Sequence, residues 1–321
     1  MIRPPTNPLR RLPQPPARAL RSTWRDASPR RIERALELAQ QRNPGGWLVA
    51  GASRDLRTES VVRHLAGREV AVWRGADGTV HAGPGACPHL GAKLEACTVA
   101  GQDLLCRWHG MALPREAGGG WREFLAYDDG VLLWVRLPLA DEQPTERPLL
   151  PERPPVDGSI AAVVSVAGTC EPADILANRL DPWHGAWFHP YAFSHLRVVE
   201  EASTEDALVV EVAFRINRTW GVPVLARFTT PDARTITMQI VEGEGAGSVV
   251  ETHATPLGPD REGRPRTMMT EATIAHSPRP GFLLARRMGP LVRPLIRRSA
   301  RQLWVDDLAY AERRFALREG R

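Results

Sequence analysis

Lysine is almost absent from this chain of 321 residues: Lys93 stands alone among 42 basic side chains, and the rest are arginine. Thirty-seven acids leave a formal charge of +5, with a pI of about 9.5. A basic pI invites a nucleic-acid reading, but the acids nearly balance the cations. The skew to Arg, with abundant Ala, Gly and Pro, fits genomic base composition, so no nucleic-acid partner is expected. Cysteine is scarce as well, at four residues, which excludes a disulfide scaffold and fits a reducing compartment. No uninterrupted apolar run is long enough to cross a bilayer. The N-terminus, Met1-Ile2-Arg3-Pro4-Pro5, lacks the apolar stretch of a secretory signal. The expected location is cytoplasmic.

Two of the four cysteines stand in paired motifs. Cys87-Pro88-His89 and Cys106-Arg107-Trp108-His109 each carry one thiol and one imidazole, and Gly91 and Gly110 follow them where the backbone must turn tightly. Zinc also takes Cys2His2, but its hairpins usually pair Cys with Cys and His with His. The mixed pairing instead resembles the Rieske [2Fe–2S] domain over about residues 46–139, in which one iron takes two Cys and the other two His. The resemblance implies Cys87, His89, Cys106 and His109 as cluster ligands. Rieske proteins of respiratory complexes carry an extra disulfide between the two loops. Here those places hold Ala92 and Arg107 or Trp108, so the pattern is of the oxygenase and ferredoxin kind. Cys97 and Cys170 read as buried free thiols.

Residues 1–45 read as a Pro/Arg-rich segment that runs extended or disordered to residue 28 and then forms a helix over 29–42, with Ser28 before it and Pro29 in its first turn. Residues 46–139 alternate β-favouring runs with turns. Six prolines between 138 and 158 mark a linker over 140–158. Residues 159–321 carry strand-like runs at Ile160–Val166, Ala207–Ile216, Thr235–Val241, Ser248–Ala254 and Thr267–Ala275, then a terminal helix over 299–317. The expected class is α+β: an all-β Rieske domain, then an antiparallel sheet with helices of helix-grip-like form.

The second constellation is Asn178-x2-Asp181-x2-His184-x4-His189. A mononuclear iron that activates O2 wants two His and one carboxylate on one face. Five residues on an ideal helix is about 140° of rotation, so an intact helix would not aim both rings at one ion. Gly185 and Pro190 offer ways to loosen or end it. Asp181, one turn before His184, can orient that ring. Downstream of a Rieske domain, the segment resembles the iron motif of the Rieske non-haem iron oxygenases.

That resemblance implies a [2Fe–2S] cluster and a mononuclear Fe(II), with electrons supplied by a separate ferredoxin or NAD(P)H-dependent reductase. It implies a third iron ligand near the last helix, at Asp307, with Asp306 as the alternative. It implies a homotrimer in which Asp181 bridges to a cluster histidine of the neighbour. The short C-terminal part favours a monooxygenase or desaturase-like branch that acts with O2 on a hydrophobic small molecule: isoprenoid, carotenoid, sterol or aromatic. An electron carrier with a non-catalytic C-terminal domain is the competing class. Residues 282–304 interleave apolar residues with Arg, which raises peripheral membrane contact, although Pro290 and Pro294 are expected to break the stretch.

Overall fold

The structure, a computed structural model, describes residues 8–13, 19–118 and 120–320. After a two-residue strand β1 (Arg10–Arg11), helix α1 (Pro29–Gln40) begins with proline in its first turn. Three small antiparallel sheets follow. The first holds β2 (Trp47–Ala52), β9 (Ala126–Asp128) and β10 (Leu132–Arg136); the second holds β3 (Val61–Leu65), β4 (Arg68–Arg74) and β5 (Val80–Pro84); the third holds β6 (Thr98–Ala100), β7 (Asp103–Leu105) and β8 (Ala112–Leu113). Alternating Val and Leu of the first two sheets close one core around Leu48, Val70, Val72, Leu133 and Val135. The third sheet packs Leu94, Leu104 and Leu113 against Trp73 and Trp121, and this core includes Cys87, Cys97 and Cys106. The four cysteines are free and buried. Burial pushes the Cys97 thiol up, and the Cys170 thiol to about 12, so neither is a ready nucleophile.

The second half is one large antiparallel sheet: β11 (Ile160–Gly168), β12 (Phe193–Val198), β13 (Ala207–Arg215), β14 (Trp220–Asp232), β15 (Thr235–Gly243), β16 (Val249–Pro259) and β17 (Pro265–Ala275). Its order is β11-β17-β16-β15-β14-β13-β12, with β1 on β14. Helices α2 (Pro172–Arg179), α3 (Gly185–Phe188), α4 (Pro280–Arg287) and α5 (Gly289–Arg318) complete the fold. The sequence pattern misses two strands. β14 contains Pro223 and Pro231, which read as strand breakers. β12 slips register between Ser194 and Arg197, where His195 takes a left-handed φ of 52°. The terminal helix is longer than expected, because Pro290 lies in the first turn of α5 and Pro294 is absorbed inside it.

Helix α1 packs Ile32, Leu36 and Ala39 into the C-terminal core, beside Leu176 and Trp304, and not into the sheets that follow it in sequence. The two halves meet in a shared apolar cluster: Trp47, Val49, Leu132 and Trp134 against Ala161, Ala272 and Ile274. Arg153, from the Pro-rich connection, ties them electrostatically. It contacts Asp129 at 2.9 Å and Glu251 of β16 at 2.6 Å, and all three side chains are buried. Trp134 Nε1 donates to the same Asp129 at 2.6 Å.

Removing Arg153 would strand two buried carboxylates, which costs about 3–5 kcal/mol. Arg153→Met is expected to lower the unfolding free energy from urea titration by that amount; an unchanged value would show that the clamp contributes nothing. Burial raises the Glu251 pKa, but hydrogen bonds from His253 and Arg153 outweigh it and hold the carboxyl below its usual range. The depressed folded-state value contributes stability that is present above the ordinary Glu pKa and lost as pH falls through the folded one. Glu251→Gln should therefore flatten the acid limb of stability against pH.

Candidate metal centres

The two Cys/His loops are near copies. Gly91 N–H donates to Cys87 C=O at 2.9 Å and Gly110 N–H to Cys106 C=O at 2.8 Å. Cys87 N–H donates to Ala92 C=O at 2.8 Å and Cys106 N–H to Met111 C=O at 2.9 Å. Both glycines have φ near +75°, at 74° and 76°, with nothing beside a would-be Cβ, so backbone conformation and not space demands glycine. The loops bring their side chains together. The Cys87 thiol is pushed up by burial and by the neighbouring Cys106 thiol, and its sulfur lies 3.9 Å from that of Met111. The His89 and His109 rings stand edge to face, centroids 5.0 Å apart. The thiols are buried and the imidazoles exposed. Two sulfur donors inside and two nitrogen donors outside suit a group with one thiolate-rich and one imidazole-bound iron.

The second set is assembled by breaking a helix. A 3-10 turn over Pro182–His184 runs into the four-residue α3, and His189 leaves helical geometry with φ −118° and ψ 54°. That break removes the 140° misfit of an intact helix and turns both imidazoles to one side. Asp307 meets them from α5: its Oδ1 lies 2.8 Å from His189 Nε2 and 3.3 Å from His184 Nε2. One ligand atom from each of the three lies within 4.8 Å of the others, the arrangement of a two-His, one-carboxylate site. Asn178 Nδ2 also donates to Asp307, at 3.2 Å. Burial alone would raise the Asp307 pKa, but His184 and His189 outweigh it and hold the carboxyl well below its usual range. His184 is opposed by burial yet pushed up to about 9 by Asp181 and Asp307, so a metal ion would have to displace a proton there.

Asp181 sits 3.7 Å from His184 Nδ1, beyond hydrogen-bond length. Its Oδ1 and His184 Nδ1 are both buried without a partner. Asp306 does not reach between the imidazoles. It accepts from Tyr191 Oη at 2.6 Å, and that hydroxyl lies 3.2 Å from His189 Nδ1. Tyr191 and Asp306 thus form a relay behind His189 that sequence reasoning did not find. Its only signal was one of three tyrosines placed two residues after His189. Tyr310 stacks on His184, and Phe188 and Phe193 flank His189. The N-terminal segment straps the motif from outside, with Thr23 Oγ1 donating to Trp183 C=O at 3.1 Å.

The relay fixes a tautomer. Once a metal replaces the Nε2 proton that meets Asp307, Nδ1–H of His189 would donate to Tyr191 and the phenol to Asp306, which leaves Nε2 as the ligating atom. Tyr191→Phe is expected to weaken metal binding about tenfold to a hundredfold, the usual effect of losing such support, read by titration of the iron-depleted protein with Fe(II). An unchanged affinity would mean that packing alone orients His189.

Residues 46–122 match the Rieske [2Fe-2S] domain, and residues 139–321 match the family described as Domain of unknown function (DUF5914). Among curated proteins, the cholesterol 7-desaturase of Hemicentrotus pulcherrimus is 38% identical over 78 residues, 23% of this chain and 16% of that protein. Oxidoreductase NdmD of Pseudomonas putida is 34% identical over 74 residues, 23% of this chain and 13% of its own. The chain thus spans about one-sixth or less of these relatives. Dicamba monooxygenase bound to dicamba superposes with a TM-score of 0.58 at 16% identity, over 86% of this chain and 88% of that one. The terminal oxygenase of carbazole 1,9a-dioxygenase from Nocardioides aromaticivorans IC177 gives 0.54 at 15% identity, over 92% of each chain. An oxygenase–ferredoxin complex of carbazole 1,9a-dioxygenase gives 0.53 at 12%, over 89% and 86%. The chain belongs to the DUF5914 family, with a Rieske [2Fe–2S] domain ahead of the family region and the fold of the Rieske oxygenases throughout.

Proposed function

We propose that this chain is the oxygenase component of a Rieske-type system, oxidising a hydrophobic small molecule with O2 and electrons from a separate ferredoxin or reductase. The observation that carries the reading is the convergence of His184, His189 and Asp307 in a chain that also holds paired Cys/His loops. Cys87, His89, Cys106 and His109 would hold the [2Fe–2S] cluster, and His184, His189 and Asp307 the mononuclear Fe(II). When bound, these groups supply one-electron transfer and activation of O2. Asp307 supplies the anionic donor, and Tyr191 with Asp306 orients His189. Phe188, Phe193 and Tyr310 form an aromatic wall around the imidazoles, which supports a hydrophobic substrate. The ferredoxin complex of a protein with the same fold supports a ferredoxin donor. The functional division is 1–45, 46–139, 140–158 and 159–321, with α1 serving the last unit.

Asp181 is the link to a neighbouring copy. Its Oδ1 has no partner within the chain, and a homotrimer would bring a second subunit's cluster histidine to this carboxylate. The competing reading is an electron carrier, which has no use for three convergent donors in its second domain.

Iron content separates the two: about three per chain for the oxygenase and about two for the carrier. The purified protein should be red-brown, and His184→Ala should abolish oxygenation while leaving the cluster spectrum intact. A colourless protein with one zinc would sink the cluster assignment. Asp181→Asn should keep both metals and the assembly but greatly slow reoxidation of the reduced cluster in a single turnover, because an amide cannot act as the anionic acceptor that holds the histidine tautomer. Reoxidation at the wild-type rate would remove Asp181 from the path, and loss of iron would make it a ligand.

A further inference from the structure

Helices α4 and α5 carry two apolar stripes. One, through Gly289, Val292, Ile296, Ala300 and Trp304, turns into the protein. The other, Leu284, Met288, Leu291 and Leu295, repeats at intervals of four, three and four. It stays in the open at 62%, 45%, 67% and 67% exposure. At 100° per residue Leu291 and Leu295 lie about 140° around α5 from the buried stripe. Leu283, 58% exposed, widens it. A contiguous line of large apolar side chains is not the scattered exposure of an ordinary surface.

Along this stretch of sequence the charge is of one sign, and of its arginines Arg279 is paired with Glu244. Between Glu271 and Asp306 there is no acid at all, while seven arginines fall between Arg279 and Arg301. Arg287 and Arg298 flank the exposed stripe, and Arg286 and Arg297 stand on the far side. Arg293 Nε is buried without an acceptor.

We propose that this face docks on an anionic lipid bilayer, with the leucine stripe at the acyl boundary and the arginines against headgroup phosphates. A two-fold contact between copies would set arginine against arginine and is disfavoured by charge; a trimer contact pairs different faces and is told apart by the light-scattering arm of the test. Spanning is not involved, since among the described residues no helix is long and apolar enough to cross a membrane. The proposal stands apart from the oxygenase reading, because lipid binding needs neither metal nor turnover.

The test is co-sedimentation of the full chain with phosphatidylcholine vesicles, with and without phosphatidylglycerol, at low and high salt. Binding is expected to the anionic vesicles, released by salt. Leu291→Asp/Leu295→Asp should reduce it more than about tenfold, and Arg287→Gln and Arg298→Gln about fivefold each. The cluster absorbance and far-UV circular dichroism of each variant confirm folding. Absent binding, equal binding to neutral vesicles, or an unaffected leucine variant would each overturn the proposal. If the leucine variant instead shrinks the assembly in light scattering while the wild type ignores vesicles, a second copy covers this face.

Discussion

A carboxylate buried inside a thirty-residue helix holds two imidazoles from a segment more than a hundred residues earlier. Asp307 can remain ionised there only because His184 and His189 meet it; an unpaired buried anion would cost several kcal/mol. The position of α5 is therefore fixed from both sides. Trp304, one turn before Asp307, donates to Glu271 at 2.7 Å, and Leu308, Ala311 and Phe315 are buried in the core. Gly168 on β11 lets the strand lie against α5, since a Cβ there would come within 2.8 Å of Leu308. The arrangement of these three side chains is thus set by the packing of the whole C-terminal sheet and not by a local loop.

The same dependence runs between the two halves of the molecule. The Pro-rich connection looks in sequence like a passive spacer, yet Arg153 within it neutralises one carboxylate from each side, Asp129 and Glu251. Around this clamp lie Trp47 and Trp134 on one side and Ala272 and Ile274 on the other. Arg234 adds a second tie, donating to Trp47 C=O at 2.9 Å and to Glu142 at 3.0 Å. A cluster-bearing half that could swing freely would not hold a constant distance to anything else. Buried charge and aromatic packing together remove that freedom.

What could be read from the sequence follows from how local each cause is. The Cys/His loops and the Asn-Asp-His-His segment are short-range patterns and stand out without a structure. So do most strands of the large sheet, where β-branched runs alternate between turns. β14 does not, because Pro223 and Pro231 deny it a strand signature and only pairing with β13 and β15 makes it one. The membership of α1 in the C-terminal core is equally invisible, since nothing local says which sheet Ile32 and Leu36 will face. The relay from His189 through Tyr191 to Asp306 escapes for the same reason: it joins residues 115 apart. Which of two adjacent aspartates meets the imidazoles was open in sequence, and helix phase resolves it. Asp307 shares the inward face with Trp304 and Leu308, while Asp306 points one position away.

The two donor sets also differ in which way they face. In the first, the thiols are buried and the imidazoles are exposed, so the half that accepts an electron most readily is the half that meets the surroundings. In the second, all three donors are largely enclosed, and His184 Nδ1 and Asp181 Oδ1 are left without partners, as is Asn178 Oδ1. An exposed imidazole pair and a buried, unpartnered carboxylate are complementary as hydrogen-bond donor and acceptor. Within one chain Asp181 meets neither His89 nor His109. In the assembly proposed above, a second copy would bring its exposed imidazole to Asp181. Assembly would then be part of the chemistry, because it would complete the path.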